Sequence, residues 1–307
     1  MLVAKKISEI DQIGTIGFEF DANENVVVDG SDRVLSWTDT KANAYQFTNV
    51  VPLDSDGIAA PGNAIDYAPI KKTVPGEING HSYIHFDNDG LTTRRQLYCE
   101  FPHNDPVTDP HLRTNPETWF VVCNYTDNAI PDGTVKSSNY MIDSRYYAAS
   151  AINDWKDNNY GAPDWDSFRR TLRLADGSDK YGQKMISYHG ETGSAITHEL
   201  LHPNHVNKWE IHTMVASGIY DPLGQDEDNY GNVPSAYYIN HKHGLHENHQ
   251  ATKYYGDIVL GSRGHYISER PEDAVQGKVA YVMCIEKPCN QAEVRFVVDK
   301  LMAKYGI

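Results

Sequence analysis

The chain has 307 residues, 22% of them charged and 40% hydrophobic, and its formal net charge is −15. That acidity argues against a nucleic-acid partner, which needs a Lys/Arg face, and against an anionic membrane surface. It favours neutral or cationic partners, or bound cations.

The length allows two domains, or one large β sandwich with ample chain for a core. The opening MLVAKKISEI has two lysines but no apolar run of about seven residues, unlike a secretory leader. No stretch approaches about 18 apolar residues, so membrane insertion is not expected. Val26–Val28 is a β-branched run closed by Asp29-Gly30, and Arg33–Asp39 alternates and carries Trp37. Tyr83–Phe86 ends in the turn Asp87-Asn88-Asp89-Gly90. Trp119–Asn124 is continuously apolar until its last residue, as expected of a strand buried on both faces. The run from about Pro131 to Tyr188 is rich in Asp, Asn, Ser, Tyr and Gly and reads as long loops. Strands follow at Trp209–Ser217, Ala236–Asn240, Asp257–Gly261 and Lys278–Ile285. A terminal helix spans about 290–305. Asn290 caps it, Glu293 completes a capping box, and Val294, Val297, Val298, Leu301 and Met302 form its apolar stripe. Lys300 and Lys304 suit its C-terminal end, and Gly306 stops it.

Short strands with turn signals between them suggest an all-β antiparallel sandwich or jelly roll closed by one helix. The expected organisation is an N-terminal arm over 1–17 and one domain over 18–307. Cys99, Cys123, Cys284 and Cys289 form no CxxC pair and read as free thiols in strands, as in a reducing cytoplasm. Asn124-Tyr125-Thr126 is a glycosylation sequon inside an apolar strand, and we discount it.

Several segments resemble the concanavalin A-like, laminin-G-like jelly-roll superfamily. FEFDANENVVVDGSDRVLSWTD is similar to its opening strands, Asn79–Leu91 to its strand and turn ending in FDG, and Lys208–Gly218 to its Trp-led strand. Ala236–Asn240 and Asp257–Gly264 are similar to the two strands that follow, and the last 31 residues to its closing strand and helix. The order and spacing match over nearly the whole chain. The resemblance implies a concanavalin A-like jelly roll. The group includes lectins, glycoside hydrolases, lyases, adhesion domains and phage virion proteins, so function must be argued from a site.

Four constellations are candidates. Glu19, Asp21 and Glu24 match ExDxxE, which resembles the signature of a retaining glycoside hydrolase family of this fold. Its outer carboxylates stand about 5–5.5 Å apart and act as nucleophile and acid/base. Here the motif is near the N-terminus rather than mid-chain, and Asn23-Glu24-Asn25 reads as a turn. His198, Glu199 and His202 match HExxH, which binds zinc when a helix brings the two histidines one turn apart. Pro203 and the upstream glycines favour strand and turn instead. Asp226, Asp228 and Tyr230 lie in an acidic stretch that resembles a calcium loop but departs from the EF-hand pattern, so a solvated turn is the plainer reading. Ten of the 14 histidines fall between His189 and His265. His241, His243 and His246 are close enough in sequence to hold a transition metal, although a polar hairpin explains them more simply.

The aromatics are dominated by 20 Tyr, against 8 Phe and 5 Trp. Trp155, Tyr160 and Trp165 lie between carboxylates and amides, a composition suited to sugar rings, and join Tyr230 as ligand-binding candidates. The leading expectation is a non-enzymatic virion structural or adhesion protein, made in a host cytoplasm and binding cell-surface glycan or protein. Its cofactor would at most be calcium, and its partners other virion proteins or copies of itself, a trimer being attractive. The alternatives are a polysaccharide-active glycoside hydrolase and a zinc hydrolase.

Overall fold

The computed structural model describes residues 7–41, 45–51, 60–88, 95–99, 117–126, 138–145, 169–175, 184–189, 195–198, 207–216, 236–243, 258–262 and 274–307. The strands in chain order are β1 Ile16–Asp21, β2 Val26–Val28, β3 Val34–Thr38, β4 Gln46–Asn49, β5 Ile70–Thr73, β6 Ser82–Phe86, β7 Leu97–Cys99, β8 Glu117–Tyr125 and β9 Ser138–Arg145. They continue as β10 Arg169–Ala175, β11 Lys184–His189, β12 Ala195–His198, β13 Trp209–Ala216, β14 Ala236–Ile239, β15 Lys242–His243, β16 Ile258–Leu260 and β17 Gly277–Ile285. Helix α1, Gln291–Tyr305, follows.

Two antiparallel sheets form a jelly-roll sandwich. One runs β15-β14-β13-β8-β17-β6-β5, with β1 also paired to β17. The other runs β12-β11-β10-β9-β16-β7-β4-β3-β2. Strand β17 uses one edge for β8 and shares the other between two strands. Its residues Gly277–Val279 meet β6, and Tyr281–Ile285 meet β1. Backbone bonds from Val34 N–H to Pro69 O and from Lys71 N–H to Asp32 O tie the two sheets together where β3 passes β5.

The eight-stranded sheet is apolar on both faces because it separates two cores. Trp119, Val121 and Cys123 of β8 face the other sheet, together with Phe18, Phe20, Trp37, Phe47 and Leu260. The alternate residues Phe120 and Val122 face α1 and pack with Val294, Val297, Val298, Leu301 and Tyr305. Strand β17 changes phase midway. Val279 and Val282 point inward, whereas Ala280 and Tyr281 both lie on the helix side, at a bulge opposite Val122.

The helix matches its sequence signals closely. Asn290 accepts from the Ala292 and Glu293 N–H groups, Glu293 accepts from the Asn290 N–H, and Gly306 ends it at φ 68°. All four cysteines are buried free thiols. Asn124, the sequon residue, is 4% exposed within β8.

The expectation of loops through 131–188 needs correction, because β9, β10 and β11 lie there. A bulge hides β9. Ile142 pairs with Leu172 and Tyr140 with Arg173, so Met141 is inserted, and both Met141 and Ile142 reach the inter-sheet core. Two adjacent buried residues break the period-two pattern that marks a strand. Strand β1 starts at Ile16, and Ile13 ahead of it is buried in the helix-side core.

Candidate functional site

Glu19 and Asp21 lie on the helix-side face of β1, while Phe18 and Phe20 between and beside them enter the inter-sheet core. Glu19 Oε1 accepts from the Tyr281 hydroxyl at 2.5 Å, and Oε2 meets Thr40 Oγ1 at 3.0 Å and Lys41 Nζ at 2.6 Å. Burial alone would raise the Glu19 carboxyl, yet these donors outweigh it and hold it below its ordinary range. Asp21 Oδ1 accepts from the Asn23 backbone and side chain, and Oδ2 meets Lys304 Nζ at 2.5 Å. Glu24 sits beyond the turn, exposed, its N–H bonded to Asp21 O. The ExDxxE carboxylates therefore split between two lysine-neutralised positions under α1 and one exposed turn. Their contacts anchor β1 to β17 and to the helix.

His198 ends strand β12, opposite Met185. Glu199 and His202 lie outside the described residues, but the strand ending at His198 matches the strand reading of HExxH rather than the helix that zinc chelation requires. His241 and His243 belong to the β14–β15 hairpin, whose turn uses Asn240 at φ 53°. His241 Nε2 lies 3.1 Å from Asp299 of α1, and His243 packs on Tyr238 with ring centroids 4.8 Å apart. His246, Asp226, Asp228, Tyr230, Trp155, Tyr160 and Trp165 lie outside the described residues. Among the described residues, no group of three His, Cys, Asp or Glu is arranged to hold a metal.

A second polar set is enclosed in the sandwich. His212 Nδ1 is 2.7 Å from the Tyr237 hydroxyl, and His212 Nε2 is 3.8 Å from Glu210 Oε2. Glu210 is 7% exposed and His212 1%, so this set faces the inter-sheet core rather than solvent.

A third polar set lies at the other end of the helix-side face, where the register aligns His85, Lys278, Asn124 and Trp209 on four neighbouring strands. Glu77, from the loop before β6, reaches into this row. Its Oε1 accepts from Lys278 Nζ at 2.6 Å and from Trp209 Nε1 at 2.9 Å, and its Oε2 accepts from the Tyr83 hydroxyl at 3.1 Å. Lys278 Nζ sits 5.1 Å from the Tyr83 ring centroid, and the Tyr83 and Trp209 rings are 5.4 Å apart. Burial works to raise the Glu77 carboxyl, but the Lys278 and Trp209 hydrogen bonds prevail and lower it. Burial and the Glu77 charge push the Tyr83 hydroxyl up to about 12. Burial, with help from Lys72, holds the His85 imidazole down at about 4, so it is neutral at physiological pH. Among the described residues, His85 Nδ1 and Asn124 Oδ1 are both buried without a hydrogen-bond partner.

No single stretch of sequence signals this row, since 132 residues separate Trp209 from Glu77 and 201 separate Lys278 from it. The one local hint is Trp209 at the start of a strand.

No protein-family model and no curated protein matches the chain by sequence. Solved structures match it in fold. The HCR/D-Sa-GBL1/C crystal structure aligns with a TM-score of 0.50 and 9% identity, over 95% of this chain and 53% of that one. Domain 4 of AbnA, an extracellular GH43 arabinanase from Geobacillus stearothermophilus solved with arabinotriose, aligns at 0.48 and 8% identity, over 93% of this chain and 98% of that one. The receptor binding domain of botulinum neurotoxin D aligns at 0.48 and 10% identity, over 96% of this chain and 54% of that one. The chain thus spans about half the length of the toxin structures it matches. Likeness at this level of identity concerns the fold, an antiparallel β sandwich.

Proposed function

We propose that the protein is a non-enzymatic recognition protein that binds its ligand through the row from Trp209 to His85. The observation that carries this reading is the half-buried Trp209, its indole N–H held by Glu77 and its ring packed on Tyr83 beside the Lys278 ammonium. An aromatic surface that is apolar on its face and polar at its edge suits sugar rings and receptor side chains. Tyr83, Glu77 and Lys278 fix the indole so that little side-chain order has to be gained on binding.

Glycan is the ligand class this reading puts first, and protein receptors second. We place the chain on a phage particle, as fibre, tail or capsid decoration, because the jelly-roll superfamily that its sequence resembles includes virion proteins. A glycan array probed with the whole chain, with and without Ca²⁺, tests the recognition reading. Binding that disappears in Trp209→Ala supports it, and binding unaffected by that change overturns the assignment of the site. Purified particles should contain the chain, and its absence from them removes the virion placement.

A further inference from the structure

We propose that Lys278 and Asn124 join in an intramolecular amide cross-link between β17 and β8, with Glu77 carrying the proton. The two residues stand directly opposite each other on the helix-side face. Such cross-strand pairs have Cβ atoms about 4.5–5.5 Å apart, a gap that the flexible lysine stem spans. Asn124 is also opposite Trp209, on the strand to its other side. Glu77 Oε1 accepts from Lys278 Nζ at 2.6 Å and from Trp209 Nε1 at 2.9 Å. The carboxylate thus bridges over Asn124 from one neighbouring strand to the other. Asn124 is 4% exposed, closed to an external ligand but adjacent to a nucleophile of its own chain.

An amine attacks a carboxamide only as the free base, and the carbonyl reacts faster when a donor polarises it. Glu77 is placed for both tasks. It takes one proton from the Lys278 ammonium, and the freed Nζ electron pair attacks Asn124 Cγ to form the new C–N bond. The protonated Glu77 carboxyl supplies a donor to Asn124 Oδ1, which has no hydrogen-bond partner among the described residues. Collapse of the tetrahedral adduct breaks the Cγ–Nδ2 bond. Nδ2 departs as ammonia with a second proton from Nζ, and the proton on Glu77 follows it to make ammonium. One ammonium and one carboxamide thereby become one secondary amide and one ammonium, with no oxidant or co-reactant. The Tyr83 and Trp209 rings, 5.1 and 6.0 Å from Nζ, and Lys72, which is opposite Tyr83 on the same face, favour the uncharged amine. Glu77 itself favours the ammonium, so the link forms slowly and once per chain. Fixed proximity of the two side chains offsets that cost.

The test is the mass of the whole, denatured chain at successive times after purification. Wild type should become lighter by one ammonia, and the tryptic peptides bearing Asn124 and Lys278 should be recovered as one branched species. Lys278→Met and Asn124→Leu should keep their full sequence mass. Glu77→Gln retains both reacting groups and should link about a hundredfold more slowly. Circular dichroism confirms that this variant is folded, and the wild-type mass decides the matter even where a variant is not. Wild type that keeps its full mass after prolonged incubation overturns the proposal, as does an ammonia loss mapped to any other site. Linking at the wild-type rate in folded Glu77→Gln overturns the role of Glu77. The cross-link does not depend on ligand binding, so a branched peptide from a chain that binds no glycan upholds it.

Discussion

The helix-side face of the eight-stranded sheet has two ends that hold their carboxylates with different partners. At the β1 end, Glu19 and Asp21 are saturated by Lys41, Tyr281, Thr40, Asn23 and Lys304, and the carboxylates hold strand and helix together. At the β13 end, Glu77 is saturated in the same manner, yet Asn124 Oδ1 and His85 Nδ1 beside it have no partner. The β1 end ties strand to helix, and the β13 end ties a loop to three strands; buried orphan atoms occur at both, the Tyr305 hydroxyl at the first and Asn124 Oδ1 and His85 Nδ1 at the second. Carboxylates spaced as ExD stand out in the sequence, and the structure gives both of them cations and donors.

The largest effect that would separate the two ends comes from Lys304→Met. Asp21 has a side chain 6% exposed and would lose its cation, so unfolding in denaturant should show a loss of about 3 kcal/mol. Acidification comes next. His85 has a folded pKa of about 4 against an ordinary 6.5, so the unfolded chain takes up its proton first. Stability from this group is full above pH 6.5 and is lost as pH falls through 4, by roughly 1–2 kcal/mol after screening. A pH series of melting temperatures on wild type and His85→Phe measures it, and the variant should lack this component. Glu19, lowered from 4.5, adds a loss in the same direction at still lower pH. Tyr281→Phe removes one hydrogen bond to Glu19 and should cost about 1 kcal/mol at neutral pH. In chain not yet linked to Lys278, the smallest effect comes from Asn124→Leu, which removes an unpartnered acceptor and should change stability by less than about 1 kcal/mol, whereas a hydrogen-bonded asparagine would cost more. Equal losses in Lys304→Met and Asn124→Leu would erase the contrast between the two ends.

Legibility in the sequence followed the locality of the signal. Helix α1 was readable because its cap, stripe and stop all lie within one short segment. Strand β8 was readable because burial on two faces leaves an unbroken apolar run from Trp119 to Cys123. Strand β9 was obscured by its bulge, and β10 and β11 by the Asp, Asn and Gly around them. The ExDxxE and histidine motifs were visible, but a motif names residue types and not their neighbours. Lys304, which answers Asp21, lies 283 residues away, and the row from Trp209 to His85 exists only after four strands have found their register.

The sharing of one edge of β17 by β6 and β1 has a kinetic consequence. Glu19 and its hydroxyl donor Tyr281 are 262 residues apart in the chain. During synthesis β1 emerges long before the strand it pairs with, and its apolar side, Phe18 and Phe20, must wait unpaired. Contacts this distant slow folding and prolong the exposure of strand edges. The interval between making β1 and making β17 is therefore when the chain is most open to aggregation, and when a chaperone that shields Phe18 and Phe20 would raise its yield most.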